Sequence, residues 1–314
     1  MPEYKPIRRG KFKQVPIYLG KFFRMFIYKS DWKVMPMAAL IAAIVAFVAG
    51  DYMFVNMEGT MMGSMALTCV CLWNGCFNSI QSVCRERAIV KREHRSGMHI
   101  FSYISAHMIY QAVLCLAQSL ITIIVCYYSG VHFPAEGFIT PSFYIDILIT
   151  LFLVTYSADM LSLMISCIVK TTTDAMTVMP LVLIVQLVLS GSLFSMDDKI
   201  KPFTYLTIAK WGIRCLCTQA NYNSLPMVSV WNQMSKFSNV EFNGIKPIAD
   251  IMNYMYENDL QYDFMAKTGA AQTVADYVYS KNNIAFCWMH LIVFAVIFSL
   301  FAMIALKFVD KDKR

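Results

Sequence analysis

Few side chains here stand in patterns that do chemistry. The five histidines (His94, His99, His107, His132 and His290) are dispersed, and each suits a hydrogen-bonded or interfacial position better than a proton shuttle. No G-x-x-x-x-G-K-[ST] loop is present to cradle nucleotide phosphates. There is no H-E-x-x-H motif, nucleophile elbow or paired-carboxylate set either. Of ten cysteines, seven (Cys69, Cys71, Cys76, Cys115, Cys126, Cys167 and Cys287) lie inside apolar runs as small packing residues. Cys215 and Cys217 lie outside those runs, with no histidine pair at zinc-ligand spacing, so no metal site is expected.

Two features remain. Asp159 lies within a long apolar run beside Ser157 and Ser162. An ionisable group there is costly, so it either binds a proton or cation or pairs with a neighbouring helix to hold one packing. Asp146 is nearer the end of the same run and is expected to be hydrated. The stretch RERAIVKREHRSGM, residues 85–98, carries seven charged side chains in fourteen between strongly apolar flanks.

Elements that hold these residues follow from composition. With 58% hydrophobic and 15% charged residues, 22 Phe, 17 Tyr and 23 Met, the chain has more apolar side chain than a soluble domain buries. Windows of about 20 apolar residues are long enough to cross a bilayer as helices, and barrel-type alternation is absent. The fold class is therefore an all-α polytopic membrane protein. Six spans are expected: 34–55, 60–83, 103–128, 143–169, 175–195 and 284–308. Connections 51–59 and 129–142 contain no Lys or Arg, whereas 84–102 holds five and the C-terminal KFVDKDKR is basic again. Both termini are thus expected in the cytoplasm of a plasma-membrane protein. The net charge of +7 is concentrated in such segments and speaks of orientation, not nucleic acid.

Residues 1–33 hold nine Lys or Arg and no apolar core, so no cleavable signal is expected. Within them Phe12, Val15, Leu19, Phe22, Phe23, Phe26 and Ile27 recur at helical spacing against Lys13, Lys21, Arg24 and Lys29, predicting an interfacial amphipathic helix. Residues 34–196 carry spans one to five and the cytoplasmic loop 84–102. Residues 197–283 form an external region, and 284–314 the last span and tail. Interleaved acids and bases in ERAIVKREH suit a short helix that docks another protein. Along the second span Ser64, Thr68, Cys71, Gly75, Asn78 and Ser82 form a stripe of small or polar residues, a usual mark of close helix packing in lipid.

Three stretches in register carry a family likeness: ERAIVKREHRSGMHIFSYISAH, LVLIVQLVLSGSLFSMDDKIKPF and YLTIAKWGIRCLCTQANY. They resemble the membrane domain of ATP-binding-cassette (ABC) exporters of the G subfamily, the white or pleiotropic-drug-resistance kind. Ala209 stands where that subfamily usually has Pro, and the external region is longer than usual. The resemblance implies that Glu86, Arg87, Arg92, Glu93 and Gly97 belong to a coupling element seated on an ATPase, with the 12–29 helix as connecting helix. It also implies a cavity at a dimer axis, with Cys71, Asn74 and Asn78 on one wall and Ile184, Leu187 and Val188 opposite. Leu189, Ser190 and Gly191 would then form the exit constriction. Lacking an ATP-binding loop, the chain is expected not to be an enzyme itself. It is expected to work with two copies of a separate ATPase subunit carrying ATP and Mg, and with a second permease copy or a sibling. The expected activity is export of a hydrophobic or amphipathic substrate. A non-transporting sensor, signalling through an ATPase or kinase partner, is the alternative.

Overall fold

The computed structural model describes residues 10–28, 31–192, 199–241 and 243–308. Expectations for residues 1–9, for the last residues of the fifth span and for the tail from 309 lie outside these. The described residues are helical and contain no strand. The helices are α1 (Lys11–Tyr28), α2 (Val34–Ala49), α3 (Met57–Ser79), α4 (Arg87–Arg95), α5 (Ile100–Tyr128), α6 (Phe143–Ile168) and α7 (Thr172–Val188). After them come α8 (Lys201–Thr204), α9 (Ile208–Gln219), α10 (Ser229–Phe237), α11 (Pro247–Glu257), α12 (Gln261–Ala271) and α13 (Lys281–Lys307).

Among the described residues, four helical stretches are long and apolar enough to cross a membrane: Met57–Arg95, Ile100–Tyr128, Phe143–Ile168 and Lys281–Lys307. Two apolar helices, Val34–Phe47 and Thr172–Val188, are shorter. At about 1.5 Å per residue, the 17 residues of α7 extend about 26 Å.

The hub is α6, which packs against α3, α13, α5 and α9. Small residues make its closest approach possible. A Cβ on Gly75 would collide with the carbonyl of Thr155 and with Ala158, so α3 and α6 touch backbone to backbone there. A second cluster joins Phe22 of α1, Val90 of α4, Tyr103 of α5 and Leu306 of α13, which puts the start of the described chain, the charged loop and the end of α13 at one end of the bundle. At the other end Phe54 packs on Phe133 and Phe143.

Asp146 is fully buried there, a departure from the hydrated position expected of it. Its carboxylate accepts three backbone N–H groups, from Phe138 (2.8 Å), Ile139 (2.9 Å) and Thr140 (3.0 Å). Peptide donors of the preceding loop thus replace water around the charge.

Residues 199–241 and 243–280 contain the short helices α8 to α12, laid over that end. Glu58 accepts the amides of Val228 and Ser229 at 3.2 and 2.7 Å. Asp276 receives Lys210 at 2.6 Å and Arg214 at 3.5 Å. In α9, Cys215 and Cys217 are fully buried free thiols, so neither forms a disulfide.

Candidate functional site

The charged loop begins where α3 gives way to a 3-10 turn at Cys84–Glu86 and continues as α4. Gly97, at φ +106°, supplies the left-handed turn that leads into α5. Three sets of contacts bind the loop's inner side. Lys21 of α1 reaches Glu86 at 3.4 Å and Glu93 at 3.3 Å. Gln14 donates to the Gly97 carbonyl at 3.3 Å and accepts the His99 amide at 2.9 Å, while Ser102 donates to the Lys11 carbonyl at 2.6 Å. Finally, Arg87 donates to the carbonyls of Cys167 and Val169, both at 2.9 Å, and Ser166 Oγ accepts the amides of Val83 and Cys84. The loop is thereby fastened to α1 and to the C-terminal end of α6.

Burial divides the charges of the loop. Glu86 is 4% exposed, and Arg87 and Glu93 are half-buried. Ile89 and Arg92, three residues apart on α4, are exposed and share one face. Tyr18, on α1 beside the loop, has its hydroxyl pKa pushed up to about 12, mainly by burial and further by the adjacent Glu93 carboxylate.

The residues expected to line a transport cavity are differently placed. Cys71 is 1% exposed and lies in the main core, one turn from Gly75 and so on the side of α3 that meets α6. Asn74 is buried as well, at 4%. Asn78 faces α5 and exchanges two hydrogen bonds with Gln118, at 2.8 and 3.0 Å. The exposed residues of that helix segment are Trp73 and Phe77. On α7, Ile184 and Val188 are exposed and Leu187 is half-buried. At its end Leu189 is half-buried and Ser190 buried, with its hydroxyl bonded to the Leu187 carbonyl at 2.6 Å and to Ser192 at 2.7 Å. Gly191 adopts φ +74°, the left-handed conformation that commonly closes a helix.

The family model for ABC-2 type transporters matches residues 21–218. The chain belongs to the ABC-2 type transporter family. This family's membrane domain is the transmembrane permease component and lacks ATPase motifs, which agrees with the missing phosphate-binding loop. A curated relative, the ABC transporter ATP-binding/permease protein Rv1747 of Mycobacterium tuberculosis, is 28% identical over 142 residues. That match covers 43% of this chain and 16% of the relative's own length.

Within this ABC-2 transporter the intramembrane carboxylate is enclosed. Asp159 is fully buried; Oδ2 accepts from the Cys115 thiol at 3.5 Å, and Oδ1 has no partner among the described residues. The serines that flank it bond elsewhere: Ser162 to the carbonyls of Asp159 and Gly75, Ser157 to those of Leu153 and Leu291. Among the described residues no group of three or more His, Cys, Asp or Glu could hold a metal ion.

Sequence reasoning passed over two positioning residues of the ABC-2 fold. Gln186 Oε1 accepts the amides of Ile208 at 2.8 Å and, more weakly, Ala209 at 3.4 Å, tying α7 to the start of α9. Its only signal was a lone carboxamide in the run VLIVQLVL. The amide of Ala209 is one that proline would lack. Lys21 was the other, one of several lysines on an amphipathic helix.

Proposed function

We propose that this chain is the permease subunit of an ATP-driven exporter with six membrane spans and a separate ATPase subunit. It moves a hydrophobic or amphipathic substrate outward from the plasma membrane. The observation that carries this reading is the two-sided loop. Its inner side is bonded to α1 and α6, and its outer face of Ile89 and Arg92 is left exposed. A partner that grips the outer face moves those helices with it, because packed elements shift between discrete arrangements. The basic outer face suits an acidic cleft around one apolar socket for Ile89.

The six-span count draws support from where the ends lie. α2 leaves α1 at the loop end and delivers the chain to Gly50, which neighbours Ser129 and Val131 at the other end. α7 leaves the α6 terminus beside Arg87, and its last turns are tied to α9 through Gln186. Each short helix therefore bridges the two ends of the bundle. With loop and termini cytoplasmic, residues 197–283 are external. The exposed faces of α3 and α7, with Trp73, Phe77, Ile184 and Val188, are assigned to the dimer axis with a second permease copy or a sibling. There Asn74, Asn78, Leu187 and Cys71 would stand behind the cavity wall, and Leu189, Ser190 and Gly191 at its exit. Arg92 belongs to the ATPase contact, while Glu86, Arg87, Glu93 and Gly97 hold the loop's shape. ATP and Mg reside on the partner.

The test is purification of the tagged chain from its native membrane in mild detergent, with mass spectrometry of what stays bound. Recovery of a Walker-motif ATPase, lost in Ile89→Asp and Arg92→Glu but retained in Phe301→Ala on α13, supports the proposal. A chain recovered without an ATPase, under conditions that keep other ABC complexes intact, overturns it in favour of a sensor.

A further inference from the structure

Behind the loop lies a cavity of about 240 Å³, between α1, α3, α5 and the start of α7. Phe22 and Met25 of α1 cover it; Asn78, Ile80 and the turn up to Arg85 and Glu86 form one side, and His107, Tyr110, Gln111 and Leu114 of α5 the other. Phe77 and Met176 line it and are also 40% and 39% exposed on the outer surface, so they mark its mouth. The mouth opens through apolar side chains, on the face a bilayer or a neighbouring permease would cover.

Two buried polar side chains in the wall have unmet hydrogen bonds. Both ring nitrogens of His107, and Oε1 of Gln111, have no partner among the described residues, although His107 is 3% and Gln111 1% exposed. The two are four residues apart on α5 and share a face. A neutral imidazole offers one donor and one acceptor, and the carboxamide oxygen a further acceptor. A buried polar group left unpaired is costly, so these groups call for an occupant. The charges at the cavity's loop end, Arg85 and Glu86, both have partners already, Glu86 pairing with Lys21 at 3.4 Å.

We propose that this cavity binds a membrane amphiphile whose head is an uncharged diol, of the monoacylglycerol type, entering past Phe77 and Met176. A diol supplies the complement, donating to Gln111 Oε1 and to one nitrogen of His107 and accepting from the other. Seven of the fifteen lining residues are apolar, Phe22, Val34, Phe77, Leu114 and Met176 among them, which favours a chain-bearing head over water alone. Phe22 lies on the His107 ring, centroids 3.9 Å apart, and must shift to admit the head. Because Phe22 and Lys21 are consecutive, the occupant touches the same turn of α1 that holds Glu86 and Glu93.

The experiment is photo-crosslinking of the purified chain in nanodiscs, using 1-acylglycerol with a diazirine near the carbonyl and peptide mapping by mass spectrometry. We expect labelling concentrated on α1 around Phe22 and on α5 around Tyr110. Excess unlabelled 1-oleoylglycerol should compete, and Gln111→Leu should reduce labelling at least fivefold. Met176→Trp narrows the mouth at an exposed position without touching the polar pair, and should give the same loss in a chain that folds normally. Labelling of the outer face of α13 near Phe301 should not change in either variant. Equal labelling by a lysophosphatidate of the same chain length, labelling spread evenly over all exposed faces, or labelling unaffected by Met176→Trp would each overturn the proposal. None of these outcomes depends on recovering an ATPase.

Discussion

Replacing Arg87 with methionine should loosen the junction between the loop and α6 without emptying the space it fills. The guanidinium makes two hydrogen bonds of 2.9 Å, to the carbonyls of Cys167 and Val169 at the end of α6. A hydrogen bond from a charged donor contributes about 1.5 kcal/mol at the low end of its range, the appropriate end for a half-buried group near water. The pair is therefore worth about 2–3 kcal/mol to the closed junction. A local opening free energy reduced by that much speeds hydrogen exchange by roughly 30- to 150-fold, at about 1.4 kcal/mol per decade. The reporters are the amides of Val83 and Cys84, whose bonds to Ser166 Oγ close the same junction. Deuterium uptake should rise in peptides containing these residues and stay unchanged in α13. Arg87→Lys, which can serve only one carbonyl at a time, should fall between wild type and Arg87→Met. If the Arg87→Met chain exchanges these amides within twofold of wild type, the junction is held by something else and the proposed route from loop to α6 fails.

Asp146→Asn should destabilise the opposite end of α6 by about 2–4 kcal/mol. An amide keeps one acceptor oxygen for three backbone donors and turns an NH₂ toward the rest; thermal unfolding in detergent should show the apparent midpoint falling by several degrees. Tyr18 gives a pH signature: with its folded pKa raised above the ordinary value of 10.0 to about 12, its contribution to holding α1 is complete below pH 10 and lost as pH rises through about 12. Because Tyr222 is raised to about 12 as well, the readout is the difference between the ultraviolet titrations of wild type and Tyr18→Phe: it should be one tyrosinate with a midpoint near pH 12, and a difference centred on the ordinary value would contradict the packing described.

The membrane helices were legible in the sequence because hydropathy is summed over many residues. Expected span starts at 34 and 143 coincide with the helices, and the Phe12–Ile27 pattern marks α1. The rotation of each helix was less accessible. Gly75 shows why: its lack of a side chain is visible, but only its contact with Thr155 and Ala158 reveals that this face of α3, with Cys71, turns toward α6. In the loop the 3-10 turn at Cys84–Glu86 breaks the helical phase between α3 and α4. The division of Glu86 and Arg87 inward from Ile89 and Arg92 outward could not be carried across it by counting. Asp146 escaped for a different reason, since its partners are peptide groups, and any sequence supplies those.

The unbroken length of α6 has a mechanical consequence. Its 26 residues include neither proline nor glycine, and the helix is about 39 Å long. Both of its ends are fastened: one through Asp146 to the loop at 138–140 and, by the Asp146 carbonyl, to Gln219 of α9; the other through its last carbonyls to Arg87. Such a strut acts as a lever. A tilt of about 5° about one end carries the other through about 3 Å, a distance comparable to a hydrogen bond and large enough to break one. A molecule that wedges against the Asp146 end would thus be felt at the charged loop on the far side of the bundle, with no side chain in between having to change its rotamer.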